Sequence, residues 1–197
     1  MPRFTRAELD AFRGAELPDL VGDGLRLLFV GINPGLWTAA VQTHFAHPAN
    51  RFYPALLAAG IIERRIDPAA GMTDDDRAYF VSRGLGITNL VAQATARADE
   101  LTAEELREGG TRLVERVTAW RPAVVAVLGI TAYRSAFGVR KAVAGRQPER
   151  IADAELWVVP NPSGLNAHDT IATLATAYRA AAEAAGVVSD AGGSAGP

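Results

Sequence analysis

Two asparagines, an aromatic ring and a leucine are the residues of this chain with the clearest chemical prospects. Asn33 follows the apolar run Leu27-Leu28-Phe29-Val30 and sits in Gly31-Ile32-Asn33-Pro34-Gly35. Asn161 follows Leu156-Trp157-Val158-Val159 and sits in Pro160-Asn161-Pro162-Ser163-Gly164-Leu165. A buried strand that ends in Gly, Asn and Pro delivers one polar side chain to the rim of a sheet. There a carboxamide can hold a water or bond a substrate amide. It is neutral and cannot act as a strong base, so hydrolysis built on it needs a good leaving group. Amides also occupy turns simply because they bond nearby backbone, and at this level both readings stand. Phe45 lies in His44-Phe45-Ala46-His47-Pro48-Ala49-Asn50-Arg51-Phe52, where a loop-borne ring could stack on a flat base. Leu165 follows Gly164 and precedes Asn166. It is either an ordinary exposed leucine or a wedge that enters a base stack.

The elements that must position these residues follow from periodicity and punctuation. Apolar strands are predicted over Leu25 to Ile32, Gly84 to Leu90, Ala123 to Gly129 and Leu156 to Val159. Helices are predicted over Thr5 to Arg13, from Asn50 through Leu57, from Thr73 to Ser82, after Thr102, over Thr131 to Phe137, and from Asp169 or Thr170 to Ala185. Thr102 with Glu105 three residues later forms a capping box, and Thr73 with Asp76 resembles one. Leu106, Leu113, Val114, Val117 and Trp120 fall on one helical face. Gly109-Gly110 inside that helix costs about 1 kcal/mol per glycine relative to Ala, which close packing against a neighbour would explain. Apolar strands alternating with helices imply an α/β fold with a mostly parallel sheet covered on both faces. Sites in such sheets lie outside the carboxyl ends of the strands. No repeat or internal linker interrupts residues 1–185, read as one domain. Residues 186–197, rich in Gly, Ser and Ala, are expected to be disordered.

Bulk properties remove several function classes. The chain has 197 residues, 49% of them hydrophobic, and no cysteine. That is enough for one core, and it excludes disulfides, iron–sulfur clusters and thiolate zinc sites. No stretch reads as a signal peptide or membrane span, so a soluble, cytoplasmic protein is expected. His44 and His47 lack metal-ligand spacing with an acidic third ligand, and no metal site is expected. Walker, dinucleotide-binding and nucleophile-elbow motifs are missing, and no cofactor is expected. Glu104, Glu105 and Glu108 read as an exposed helix face, and Asp74-Asp75-Asp76 as helix-start residues. Net charge is −2, which gives no overall support for nucleic-acid binding. The basic residues are nineteen Arg and one Lys. Five of them, Arg134, Arg140, Lys141, Arg146 and Arg150, cluster against one acid, Glu149. That segment is either a phosphate contact or a solvated connection.

Taken in order, Gly31-Ile32-Asn33-Pro34-Gly35-Leu36, Phe45 through Phe52, Gly86-Ile87-Thr88-Asn89-Leu90-Val91, Val127-Leu128-Gly129 and Pro160 through Leu165 resemble the mismatch-specific uracil-DNA glycosylases. The resemblance covers residues 24 to 182. It implies a three-layer α/β/α sandwich with a short, mostly parallel sheet. It implies a monomeric, monofunctional glycosylase of base excision repair, acting at the bacterial nucleoid. Its partner would be double-stranded DNA with a G·U or G·T mismatch or a damaged base, from which it removes uracil, thymine or cytosine adducts. Asn33 matches the water-positioning Asn, and Phe45 the ring that stacks on the extruded base. Backbone near Ile32 and Phe45 reads the base edge, with Thr38, Trp37 and Asn89 as further lining. Asn161 sits beside the leaving pyrimidine. Ser163, Gly164, Leu165 and Asn166 fill the gap in the duplex, and Arg146 holds phosphate. The chain departs from some relatives at Ala92-Gln93, where they carry Asp-Arg, and at Asn166-Ala167-His168, where they carry an Arg. A lesion-binding module without catalysis, and a nucleosidase for free nucleosides, are the alternatives.

Overall fold

The computed structural model describes residues 3–166 and 168–189. Ala167, in the second departure above, and the last eight residues of the expected tail lie outside the described residues. Residues 186–189 continue the fold: the Val187 amide donates to the Ala182 carbonyl, and Val187 and Val188 pack against the core.

Five strands form one sheet among the described residues: β1 (Leu27–Gly31), β2 (Leu85–Asn89), β3 (Val124–Leu128), β4 (Gly145–Ile151) and β5 (Ala154–Val159). Their order is β2-β1-β3-β5-β4. β2, β1, β3 and β5 are parallel, with Gly31 beside Asn89 and Val30 beside Val127. β4 is antiparallel to β5, with a register shift between Arg146 and Arg150. This fifth strand lies in the basic segment. Its polar composition hides it from a search for apolar runs. An edge strand tolerates Pro148 and charged side chains because one side needs no ladder partner.

Every residue of β1, β2 and β3 is buried, as expected of parallel strands covered on both faces. Alternation sends Leu27, Phe29, Val124 and Ala126 into one core and Leu28, Val30, Val125 and Val127 into another. α3 (Phe52–Ala58), α4 (Asp74–Ser82) and α7 (Ile171–Ala184) cover the first face. α5 (Ala103–Trp120) and α6 (Ile130–Phe137) cover the second. The result is the expected three-layer α/β/α arrangement. Two short helices, α1 (Arg6–Asp10) and α2 (Leu36–Ala40), pack together near the tip of β1 through Leu9, Phe12, Leu36 and Ala39. Val114 departs from the expected apolar face of α5 and is 41% exposed.

The caps follow the sequence closely. Thr102 and Glu105 close a reciprocal capping box on α5. Thr73 accepts from the Asp76 amide at the start of α4, while the Asp76 carboxylate turns to Arg64. α7 is capped by Thr170. Asn50 accepts from the Phe52 amide at 2.9 Å, one residue before Arg51, the cap position of α3.

The glycine pair of α5 is explained by close approach. A Cβ at Gly109 would stand 2.5 Å from the Leu90 carbonyl oxygen, and one at Gly110 would stand 2.8 Å from that of Ala136. Helix propensity alone would make Gly109→Ala stabilising by about 1 kcal/mol. Overpacking against backbone reverses the sign. Gly109→Ala is expected to lower stability by about 1–3 kcal/mol in urea unfolding, and a raised midpoint would contradict this packing.

Candidate active site

A cleft of about 560 Å³ opens over the carboxyl ends of the parallel strands, beside β1, where the strand order reverses. Gly31, Ile32 and Asn33 enter it from β1, Asn89 from β2, and Leu128 from β3. Asn161 and the Ser163-Gly164-Leu165 tip enter from the loop after β5. Trp37 and Thr38 of α2, with His44 and Phe45, also line it. Arg6, Leu9 and Arg13 of the N-terminal segment form an outer wall. The sequence reading missed that wall because nothing local marks it.

Of the expected residues, Ile32, Asn33, Thr38, Phe45, Asn89, Asn161, Ser163, Gly164 and Leu165 share this cleft. Asn166 does not line it: its Nδ2 donates to the Asn161 carbonyl at 3.0 Å and to Asp169 at 2.8 Å. Arg146 does not line it either. It lies on β4, three strands from β1, and its guanidinium pairs with Glu155 at 2.9 Å. Arg134 and Arg150 are likewise turned onto the chain's own carbonyls, those of Ala142 and Asp153.

The two asparagines present opposite ends of their amides. Asn33 Nδ2 lies 3.2 Å from the Pro34 carbonyl, 3.1 Å from that of Gln93 and 2.7 Å from Thr95 Oγ1. Carbonyls only accept, and the Thr95 hydroxyl donates to the Arg97 carbonyl, so the nitrogen's identity is forced. Among the described residues no donor reaches Asn33 Oδ1, which is left to accept from a guest. At Asn161 the polarity is reversed. Its Oδ1 accepts from the Ser163 amide at 3.0 Å, an Asx-type turn, and among the described residues its Nδ2 has no acceptor.

Phe45 sits at φ +55°, a left-handed conformation that costs a non-glycine residue on the order of 1 kcal/mol or more. The surroundings hold it there. Its ring packs on Phe52 at 4.2 Å and 31°. The next amide, Ala46 N–H, donates to Thr38 Oγ1, so buried Thr38 ties the loop to α2. The preceding carbonyl, that of His44, accepts from the buried Tyr53 hydroxyl at 3.1 Å. The floor is bare for a reason: a Cβ on Gly31 would collide with Asn89 Oδ1 and stand 3.2 Å from the Phe45 ring.

His44 is buried, and loss of solvation pushes its pKa down to about 4, with Arg77 acting in the same direction and the Pro18 carbonyl and Asp19 opposing. It is neutral at physiological pH.

Arg51 organises the loop that carries Leu165. Its Nη2 donates to the carbonyls of Ser163 and Asn166, each at 2.6 Å, and its Nη1 donates to that of Asp169. Its own amide donates to the Pro162 carbonyl at 3.0 Å. The tip is thereby fixed while Leu165 stands out, 87% exposed. Nothing in the local sequence marks this role of Arg51, because the partners of its side chain lie 112 to 118 residues away.

Fold and cleft define an α/β protein whose strand-end pocket combines oriented amides, an aromatic wall and a projecting aliphatic tip. Residues 18–183 match the family model of the uracil DNA glycosylase superfamily. The chain belongs to that superfamily, whose members are DNA glycosylases, hydrolases of base excision repair. Among the described residues, no helix is long and apolar enough to cross a membrane.

Arg51→Met removes three carbonyl ties at once. Amide hydrogen exchange at Leu165 and Asn166 is expected to quicken by about tenfold or more, as for loss of a charged hydrogen-bond anchor of roughly 1.5–3 kcal/mol. Unchanged exchange at those amides would contradict the anchoring role.

Proposed function

We propose that this protein excises uracil opposite guanine from duplex DNA, with Asn33 positioning the attacking water. The observation that carries the reading is the complementary polarity of the two amides across one cleft. A glycosidic bond that loosens leaves a cationic sugar carbon and an anionic pyrimidine. Water must reach the carbon, and hydrogen-bond donors must face the base. Asn33 offers an acceptor oxygen for the water. Asn161 offers its amide nitrogen to the departing base.

The remaining lining fits the same step. A base inside a helix cannot reach a strand-end cleft, so the nucleotide must flip out. Phe45, backed by Phe52, is the platform on which the base stacks, and Ile32 and Asn89 meet its edge. Leu165 on its braced loop occupies the vacated position in the duplex, between Gly164 and Asn166, and Ser163 lies beside the backbone. G·U and G·T pairs cost less to open than matched pairs, which is itself a source of selectivity. In the chemical step the bond between sugar carbon and base nitrogen breaks, and its electron pair leaves with the base. Water adds to the sugar carbon and gives its proton to solvent or to the departing anion. The products are free uracil and an abasic site. Neutral amides provide no strong base, so the reaction relies on leaving-group stabilisation, and slow turnover is expected.

Single-turnover release of uracil from a G·U duplex tests the assignment. Asn33→Ala is expected to lower the rate by about 10²–10³, the loss typical of removing one preorganised polar group at a reacting centre. A wild-type rate in that variant would remove Asn33 from its role. Leu165→Ala is expected to reduce the fluorescence change of a 2-aminopurine reporter placed beside the mismatch, and an unchanged signal would count against the wedge. Formation of abasic sites separates an enzyme from a sensor that holds the base without cutting.

A further inference from the structure

We infer that the N-terminal segment, residues 4–16, is a positioning element that keeps the Asn33 amide in its working orientation, with Phe12 as its anchor. The inference rests on the uracil-excision reading and adds a determinant of its rate. The segment precedes residues 18–183, the stretch matched by the superfamily model.

The steps run outward from the tether. Two of the three acceptors of Asn33 Nδ2 lie on one short stretch, the Gln93 carbonyl at 3.1 Å and Thr95 Oγ1 at 2.7 Å. Residues 92–97 belong to no helix or strand, so the ladder of the sheet does not fix them. Two isolated bridges do, Thr95 beside Gly35 and Gln93 opposite Glu16. Between them Ala94, 1% exposed, commits both of its backbone groups to the N-terminal segment. Its amide donates to the Ala15 carbonyl at 2.9 Å, and its carbonyl accepts from the Gly14 amide at 2.8 Å. Gln93 Nε2 adds a bond to Glu16 Oε1 at 2.8 Å. Buried backbone groups are costly to leave unpaired, so the stretch that holds Asn33 stays where the segment stays.

Apolar contact holds the segment itself. Leu9, Phe12 and Ala15 pack against buried Leu36, Ala39 and Ala94, so one cluster joins α1 and the turn after it to α2 and to the tether. Phe4 meets Trp37 edge-on, with ring centroids 4.9 Å apart. An ionic path runs beside it. Arg13 pairs with Glu100, whose carboxylate accepts from the Arg97 amide at 2.9 Å, and the Arg97 carbonyl takes the hydrogen of the Thr95 hydroxyl. The Arg13 and Glu100 side chains are 49% and 34% exposed, and solvent screening leaves such a pair little weight. Phe12 in the apolar cluster is therefore the anchor. With the segment loosened, the Gln93 carbonyl drifts, the Asn33 amide loses an acceptor, and its oxygen no longer keeps one direction for the attacking water.

Single-turnover release of uracil from a G·U duplex at saturating enzyme reads the effect. Phe12→Ala is expected to lower the maximal rate about tenfold, within the roughly 10²-fold that a 1 Å misplacement can cost. Its affinity for a G·U duplex with a cleavage-resistant uracil nucleotide should stay within about threefold, because orientation of the water rather than binding is lost. Phe12→Leu keeps the apolar contact and should bring the rate back to within about threefold of wild type. In an Asn33→Ala background Phe12→Ala should cost less than about twofold, because Phe12 acts only through Asn33. An unchanged rate, a full loss in that background, or a loss confined to affinity would overturn the inference. Proton–nitrogen NMR of the full chain without DNA tests the tether alone. The side-chain NH₂ hydrogens of Asn33 are expected to exchange with solvent about tenfold faster in Phe12→Ala than in wild type, as for loss of one hydrogen-bond anchor, and equal exchange would overturn it. A wild-type protein that releases no uracil would fail the excision reading, while the exchange rates would still decide the tether.

Discussion

The cleft depends on how one amide is tethered. The nitrogen of Asn33 is held among the carbonyls of Pro34 and Gln93 and the hydroxyl of Thr95. Its two hydrogens are shared among three acceptors, and its oxygen has no competing donor among the described residues. A neutral amide has little intrinsic reactivity, and fixed orientation gives it a use. The tether is a product of the fold. β1 and β2 bring Gly31 beside Asn89. Beyond them the Leu90 and Val91 amides donate to the carbonyls of Gly31 and Ile32, carrying the next segment to the far side of Asn33.

The same economy of donors and acceptors recurs around the cleft. Asn161 uses its oxygen in its own turn and turns outward an N–H group. Thr38 and Tyr53 hold the backbone on either side of a left-handed Phe45. Arg51 ties down the loop behind Leu165. In each case a hydrogen bond within the protein sets the direction of a group that faces the cleft. Such preorganisation matters where the chemistry has no strong acid or base, because no reorganisation remains to be made at the moment of reaction.

What was legible in the sequence followed from how local its causes are. β1, β3 and β5 stand out as unbroken apolar runs closed by Gly or Asn-Pro, and the caps at Thr73, Thr102 and Thr170 bond within three residues of themselves. β4 was hidden because an edge strand with one solvated side carries Arg146, Pro148, Glu149 and Arg150 without penalty. The arginines of that segment looked available for phosphate, yet Glu155 and local carbonyls engage Arg134, Arg146 and Arg150. α2 has five residues and no side-chain cap, so it left no signature. Asn33, Phe45, Asn161 and Leu165 were legible as candidates. Their tethers were not: Thr95 is 62 residues from Asn33, and only the sheet brings the two together.

A crystal structure of the protein with a G·U duplex whose uracil nucleotide resists cleavage would examine the amide directly. The expected density has the uracil ring against Phe45 and a water within hydrogen-bond distance of Asn33 Oδ1, in line with the bond between sugar and base. Asn33 would keep its nitrogen on Pro34, Gln93 and Thr95. An extruded base seated elsewhere, or an Asn33 amide turned so that its nitrogen faces the sugar, would contradict the role given to it.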